Sequence, residues 1–211
     1  MFVTVDGSNG AVFEGKGETH LKSVDPIFPT RTQIKVIIDL PDFAERAALS
    51  RARSVGLLRL EGIIAIGGKH PLWFVKQKKI KEYISLLSEG IKKIAEPFEE
   101  VWIRTSDIRS DEYVNLTGAP DLKEQNPMLG DNGVRFSIKH PHIMRAELFA
   151  IKEVADDFPH KKFGVMTPQV ISVEEIIATK KIAHEVGMPK NVVVGIMVET
   201  PAAVQIIEDL C

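Results

Sequence analysis

The stretch Asn191–Ala203, NVVVGIMVETPAA, constrains the fold of this chain more than any other. It opens as a run of Val and Ile with the composition of a buried parallel strand. It ends in Glu199-Thr200-Pro201, which places Thr200 as an N-cap and Pro201 at the first helical position. Residues 202–210 then read as a helix. A carboxylate, Glu199, therefore stands where a buried strand gives way to a helix. In parallel α/β proteins that edge is where ligands are held. An acidic residue beside a helix N-terminus is also favourable on electrostatic grounds alone.

The same alternation recurs upstream. Residues 33–39 (QIKVIID), 55–60 (VGLLRL), 101–104 (VWIR) and 163–167 (FGVMT) are strand candidates. Residues 42–53, 71–94, 143–155 and 173–186 read as helices, the second with Ile80, Ile84, Leu87, Ile91 and Ile94 on one face. Its Lys76, Lys78, Lys79 and Lys81 belong to the solvated side. Repeated βα units with right-handed crossovers imply a parallel sheet. Periodicity alone leaves open whether that sheet closes into a barrel. The polar excursion 105–142 is long for a structureless loop in a compact domain, and such loops are often functional.

Residues 1–24 differ. Asp6-Gly7 and Asn9-Gly10 lie between two short apolar runs, which predicts a strand, a turn and a strand. Two strands make no stable unit alone, so this segment either packs on the main domain or ends a domain lying elsewhere. A linker containing Pro26 and Pro29 follows.

With 211 residues and a net charge of -2, the chain gives no electrostatic case for nucleic acid or an anionic membrane. Its N-terminus lacks the basic region and apolar core of a signal peptide, and no apolar run could span a bilayer. One cysteine, Cys211, excludes an internal disulfide framework. The cytoplasm is the expected compartment.

Three predicted strand ends carry charge: Arg59, Arg104 and Glu199, with Glu61 close to the first. Two guanidiniums can grip carboxylate or phosphoryl oxygens in a bidentate way. A carboxylate such as Glu199 can hold Mg²⁺, which takes one or two protein carboxylates and completes its shell from substrate and water. Together they describe a site for a small anion bound through a metal, suited to phosphoryl transfer or enolate chemistry. The plain alternative is that these groups form structural ion pairs. His140-Pro141-His142 has no usual zinc spacing and reads as loop. His20, His70, His160 and His184 read as surface residues.

Arg104–Gly118 (RTSDIRSDEYVNLTG) followed by Asn126–Gly130 (NPMLG) resembles the barrel domain of the enzymes that use phosphoenolpyruvate, and among them the phosphoenolpyruvate synthases. VGLLRLEG (Val55–Gly62), MTPQV (Met166–Val170) and GIMVETPAA (Gly195–Ala203) match further motifs in the family's order. VTVDGSNGAVFEG resembles the last turn of the phosphohistidine domain that precedes the barrel. The resemblance implies an α/β fold: part of a (β/α)₈ TIM barrel over residues 25–211, preceded over 1–24 by the tail of the swivelling phosphohistidine domain. It implies conversion of ATP, pyruvate and water into AMP, phosphoenolpyruvate and phosphate. By motif position Arg59 and Arg104 would bind phosphoryl and carboxylate oxygens, and Glu199 would ligate Mg²⁺.

The departures are equally informative. About five βα units are present, whereas the full barrel has eight. The family's second metal ligand, its acid/base cysteine, its phosphohistidine and its ATP-grasp domain have no counterpart here, and Cys211 does not match the cysteine's position. The expectation is a barrel fragment with no catalytic residue of its own and no synthase activity alone. Its partners would be pyruvate or phosphoenolpyruvate and the remaining parts of the same enzyme, with a homodimer for the whole. Asp131-Asn132 stand where relatives carry an arginine-containing pair, and Arg135 is the candidate substitute. The related phosphoenolpyruvate–protein phosphotransferase barrel differs in the loop after Arg104. A non-catalytic module binding pyruvate or a partner subunit is the reading from another class.

Overall fold

The computed structural model describes residues 2–17, 23–28, 30–121 and 124–211; His20 and Pro29 lie outside them. The chain begins with the antiparallel hairpin β1 (Val3–Asp6) and β2 (Ala11–Glu14). The Asp6 carboxylate holds the turn by accepting the Ser8 and Asn9 N–H groups at 2.9 and 3.2 Å. No hairpin residue enters the hydrophobic core, and Phe2, Val5 and Val12 are exposed.

The main sheet is parallel, in the order β3 (Val36–Ile37), β4 (Ser54–Arg59), β5 (Glu100–Arg104), β6 (Lys162–Thr167) and β7 (Val192–Ile196). Strand order follows chain order throughout. Right-handed crossovers then put every helix on the same side, whereas a doubly wound sheet reverses its order and is covered on both faces. Val55 and Leu58, Val101 and Ile103, and Phe163 and Val165 are buried toward the helices. The opposite face carries Lys35, Trp102 and Val193, the last 59% exposed. This is an arc of a (β/α)₈ barrel, one face packed on helices and the other turned toward what would be the barrel interior.

The helical layer is α1 (Ala44–Ala48), α2 (Leu60–Gly67), α3 (Pro71–Lys76), α4 (Ile80–Ala95), α5 (Gly133–Lys139), α6 (Pro141–Asp157), α7 (Val173–Glu185), α8 (Pro201–Gln205) and α9 (Ile207–Leu210). Leu87, Ile91 and Ile94 of α4 and Ile143, Leu148 and Ile151 of α6 form the centre of the core. No helix among the described residues is long and apolar enough to cross a membrane.

Several elements differ from expectation for local reasons. The helix expected over 71–94 is two helices. Lys78 adopts a left-handed conformation (φ 59°), and the Lys79 and Lys78 N–H groups bond back to Phe74 and Val75 carbonyls, the paired bonds of a Schellman ending. The helix expected over 42–53 shrinks to α1 after a 3₁₀ turn at Pro41–Phe43, ending where Arg51 turns left-handed. The strand expected over 33–39 retains only β3. Helix α2 follows β4 with no loop. The excursion 105–142 contains a 3₁₀ turn (Pro127–Leu129) and α5, whose Val134 and Phe136 are buried. His140 and His142 flank Pro141 at the junction of α5 and α6 rather than lying in a loop. The expected 202–210 helix breaks at Ile206.

Candidate functional site

The C-terminal edge of the sheet brings the two strand-end arginines side by side: Arg59 and Arg104 are register partners on β4 and β5. Each is already paired with an acid from a neighbouring element. Arg59 donates to Asp39, beyond β3, at 2.8 Å through Nη1, and its backbone N–H bonds the same carboxylate at 3.2 Å. Gly62 makes this possible, since a Cβ there would lie 2.2 Å from the Asp39 carbonyl oxygen. The pair is half-exposed, at 37% and 34% of side-chain area.

Arg104 sits deeper, and its partner is Glu61 in the first turn of α2. Its Nη2 donates to Glu61 Oε1 at 2.5 Å, and Asp107 Oδ2 lies 3.4 Å from Nη1. Arg104 and Glu61 are 13% and 7% exposed. Burial pushes the Glu61 carboxyl above its usual range while the Arg104 charge opposes that shift. Arg104 Nε, Glu61 Oε2 and Asp107 Oδ1 are all buried without a hydrogen-bond partner, so this cluster retains polar capacity that a ligand can use. Tyr113 leans on the same groups. Its phenol is pushed up to about 12, first by burial and then by Glu61 and Glu112.

The segment between Arg104 and Asp107 is gripped from behind. Glu147, wholly buried in α6, accepts the Ser106 N–H at 3.1 Å on Oε2, and on Oε1 the Ser106 hydroxyl at 2.5 Å and the Tyr83 hydroxyl at 3.0 Å. Burial raises the Glu147 carboxyl to about 7, and the hydrogen bonds from Ser106 and Tyr83 hold it back.

Glu199 lies beyond β7, exposed, on the same edge but two strands from Arg104. Its Oε1 accepts the Gln169 N–H at 2.8 Å. Gln169, in the loop after β6, is left-handed (φ 58°), and its carbonyl accepts from Arg135 Nη1 at 3.4 Å. The Arg135 guanidinium also donates to the Gly130 carbonyl at 2.9 Å and to Asn132 Oδ1 at 2.7 Å. The backbone of one residue, Gln169, therefore joins Arg135 to Glu199 through its N–H and its carbonyl. Thr200 caps α8 as expected, accepting the Ala203 N–H at 3.0 Å, and donates its hydroxyl to the Val170 carbonyl at 2.6 Å.

Residues 17–211 match the profile of the PEP-utilising enzyme, PEP-binding domain family. The chain belongs to the PEP-utilising enzymes. Across its whole length it is 40% identical to a phosphoenolpyruvate synthase of Pyrococcus furiosus, covering 28% of that relative. Over 97% of its length it is 33% identical to a phosphoenolpyruvate synthase of Aeropyrum pernix, again covering 28%. The chain thus spans less than a third of the curated relatives it matches.

For a PEP-utilising enzyme, the sequence motifs mark Arg59, Arg104 and Glu199, and the structure sets all three on one sheet edge. No hydrogen bond among the described residues links the arginine pair to Glu199; the Gln169 loop with Arg135 spans the interval. Four contributors escaped the sequence reading: Asp39, Glu147, Tyr83 and Gln169. Glu147 left a signal, since it falls between Ile143 and Ile151 at helical spacing, a charge in an apolar stripe. Gln169 left none. One histidine expectation is corrected: His70 is buried, with its Nδ1 accepting the Leu72 N–H at 3.2 Å as the cap of α3. Burial lowers it to about 4. His160 and His184 are exposed as expected. Cys211 is exposed.

No cluster of three metal-ligating side chains occurs among the described residues. Glu199, with one oxygen held by a backbone N–H, is a single carboxylate donor. That fits a hard cation that takes one or two carboxylates and fills its remaining positions from water and substrate.

Proposed function

We propose that this chain is the substrate-binding arc of a phosphoenolpyruvate synthase, acting on pyruvate and phosphoenolpyruvate within the larger enzyme that converts ATP, pyruvate and water into AMP, phosphoenolpyruvate and phosphate. The observation that carries the reading is the register pairing of Arg59 and Arg104 at the sheet edge that also bears Glu199. Arg104, rigidly seated on Glu61, presents a fixed cation to a carboxylate or phosphoryl oxygen. Arg59, on its half-exposed ion pair, can exchange Asp39 for a second substrate oxygen. Glu199 would contribute one carboxylate oxygen to Mg²⁺, which when bound stabilises enolate charge as a Lewis acid. Arg135 contributes by holding the Gln169 backbone against Glu199. The partners are pyruvate or phosphoenolpyruvate and the phosphoryl-carrying and ATP-binding parts of the same enzyme.

We also read residues 1–24 as the tail of the phosphohistidine domain. The support is that hairpin β1–β2 adds nothing to the core, its apolar residues are exposed, and the family match begins at residue 17.

Calorimetry with oxalate, which mimics the enolate, tests the site. Binding should require Mg²⁺ and be lost in Arg104→Ala and in Glu199→Ala. Oxalate binding that ignores both the metal and Glu199, or no binding at any Mg²⁺ level, would sink the reading.

A further inference from the structure

The core between α4 and α6 contains a carboxylate that packing does not require. Glu147 is fully buried with Ile143, Leu148 and Ile151 around it. An apolar residue of its size would serve a helix interface as well, since buried polar groups replaced by matched apolar ones are often neutral in stability. What an apolar residue cannot do is accept hydrogen bonds, and two of the three that Glu147 accepts come from one residue, Ser106. The third anchors the carboxylate to Tyr83 of α4. The next backbone N–H, that of Asp107, is taken by Glu61 at 2.7 Å, on the same oxygen that holds Arg104. Consecutive N–H groups of the loop segment after β5 are thus held by carboxylates from two helices, α6 and α2.

We propose that Glu147 is a positioning residue: acting through Ser106, it fixes the loop segment Thr105–Asp107 and so sets where the Arg104 guanidinium and the Asp107 carboxylate stand. This rests on the reading of Arg104 as an oxyanion-binding group. The distribution of donors defines what is essential. Oε2 receives only the backbone N–H, which cannot turn away, whereas Oε1 receives two hydroxyls, each able to rotate and accept instead. A neutral amide therefore fits: its oxygen takes the Ser106 N–H and its NH₂ donates to the rotated hydroxyls. The device requires an acceptor at that point, not a charge.

The test compares Glu147→Gln, Glu147→Met and Tyr83→Phe in this chain. The readouts are Mg²⁺-dependent oxalate affinity by calorimetry and amide hydrogen exchange at Ser106 and Asp107, referenced to Val165 in the core of the sheet. Glu147→Met should lose about tenfold in affinity, the equivalent of one hydrogen bond. Exchange at Ser106 and Asp107 should accelerate while that at Val165 is unchanged. Glu147→Gln should stay close to the parent on both readouts. Tyr83→Phe, which leaves both bonds to Ser106 in place, should hold its affinity. If Glu147→Met fails to fold, Ser106→Ala gives the decision, with a smaller loss of affinity expected. Parent-like affinity and exchange in Glu147→Met (or, failing that, in Ser106→Ala) would overturn the proposal, as would a Glu147→Gln variant as impaired as Glu147→Met. Should the parent itself bind no oxalate, the functional reading falls, and the exchange data alone then decide whether Glu147 holds the segment.

Discussion

The two ends of the candidate site are built differently. At the β5 end, Arg104 is almost enclosed, paired with Glu61, and followed by a loop segment whose backbone is held by carboxylates from α2 and α6. At the β7 end, Glu199 is exposed and held by one N–H from a left-handed residue in a neighbouring loop. The first arrangement suits a cation that must not move as substrate arrives, because its geometry is set before binding. The second suits a ligand that must exchange water and metal, since an enclosed carboxylate would be neutralised by the same burial that raises Glu61 and Glu147. On the proposed reading, rigidity is placed where charge is fixed, and access where a cation would enter.

This contrast can be broken most severely at Glu61. Glu61→Met leaves the buried Arg104 with only the longer contact to Asp107, and the Asp107 N–H unpaired. Breaking such a buried pair costs about 3–5 kcal/mol, visible as a large fall in the urea midpoint.

The Glu147 carboxyl sharpens the contrast through pH. Its folded value of about 7 lies above the ordinary 4.5, so the folded state binds the proton more tightly than the unfolded chain does. The associated stability is present below about pH 4.5 and is lost as pH rises through about 7, with a slope of up to about 1.4 kcal/mol per pH unit. His70 works the other way: its folded value of about 4 lies below 6.5, so its stability is present above 6.5 and lost as pH falls through about 4. Between about pH 5 and 6.5 the two slopes oppose each other, so urea titrations should find the parent nearly level there and declining only toward about pH 7, whereas Glu147→Gln should gain stability through that window on the His70 slope alone.

At the other end, Gly133 is the sensitive position. Its φ is +55°, and a Cβ would lie 2.9 Å from that of Gln169. Gly133→Ala should cost about 1–2 kcal/mol in a thermal melt. By displacing Gln169 it should also raise the Mg²⁺ concentration that oxalate binding needs. The smallest effect on stability belongs to Arg59→Ala, under about 1 kcal/mol because its ion pair with Asp39 is half-exposed. Its oxalate affinity should nonetheless fall about tenfold, as a charged hydrogen bond to the ligand is lost. An Arg59→Ala variant that melts far earlier, or binds undiminished, would contradict the division of roles.

Much of this architecture was legible from residue order. Runs such as VGLLRL and NVVVGI are strands because their branched apolar side chains suit a parallel sheet, although NVVVGI, expected to be buried, forms the edge strand β7 with Val193 exposed and its neighbours only partly covered; ETP announces a helix start through capping chemistry that is local in sequence. Strand ends bearing Arg59, Arg104 and Glu199 were visible for the same reason. Less visible were features with no local pattern. LEGIIAIG, given no element beyond Leu60 by its pattern, folds as α2, entered directly from β4 and closely packed at Gly62. The left-handed break at Lys78 depends on two backbone bonds that no side-chain pattern encodes.

The sequence alone determined the alternation of strands and helices, the edge on which charge gathers and the family to which the motifs belong, because each depends on residues a few positions apart. Only the tertiary structure decided who holds whom: Asp39 for Arg59, Glu61 for Arg104, Glu147 for Ser106 and Gln169 for Glu199. Those partners lie 20, 43, 41 and 30 residues apart. Such pairings form where strand register and helix packing bring distant chain segments within hydrogen-bond reach, and that three-dimensional condition leaves no periodic trace in the chain.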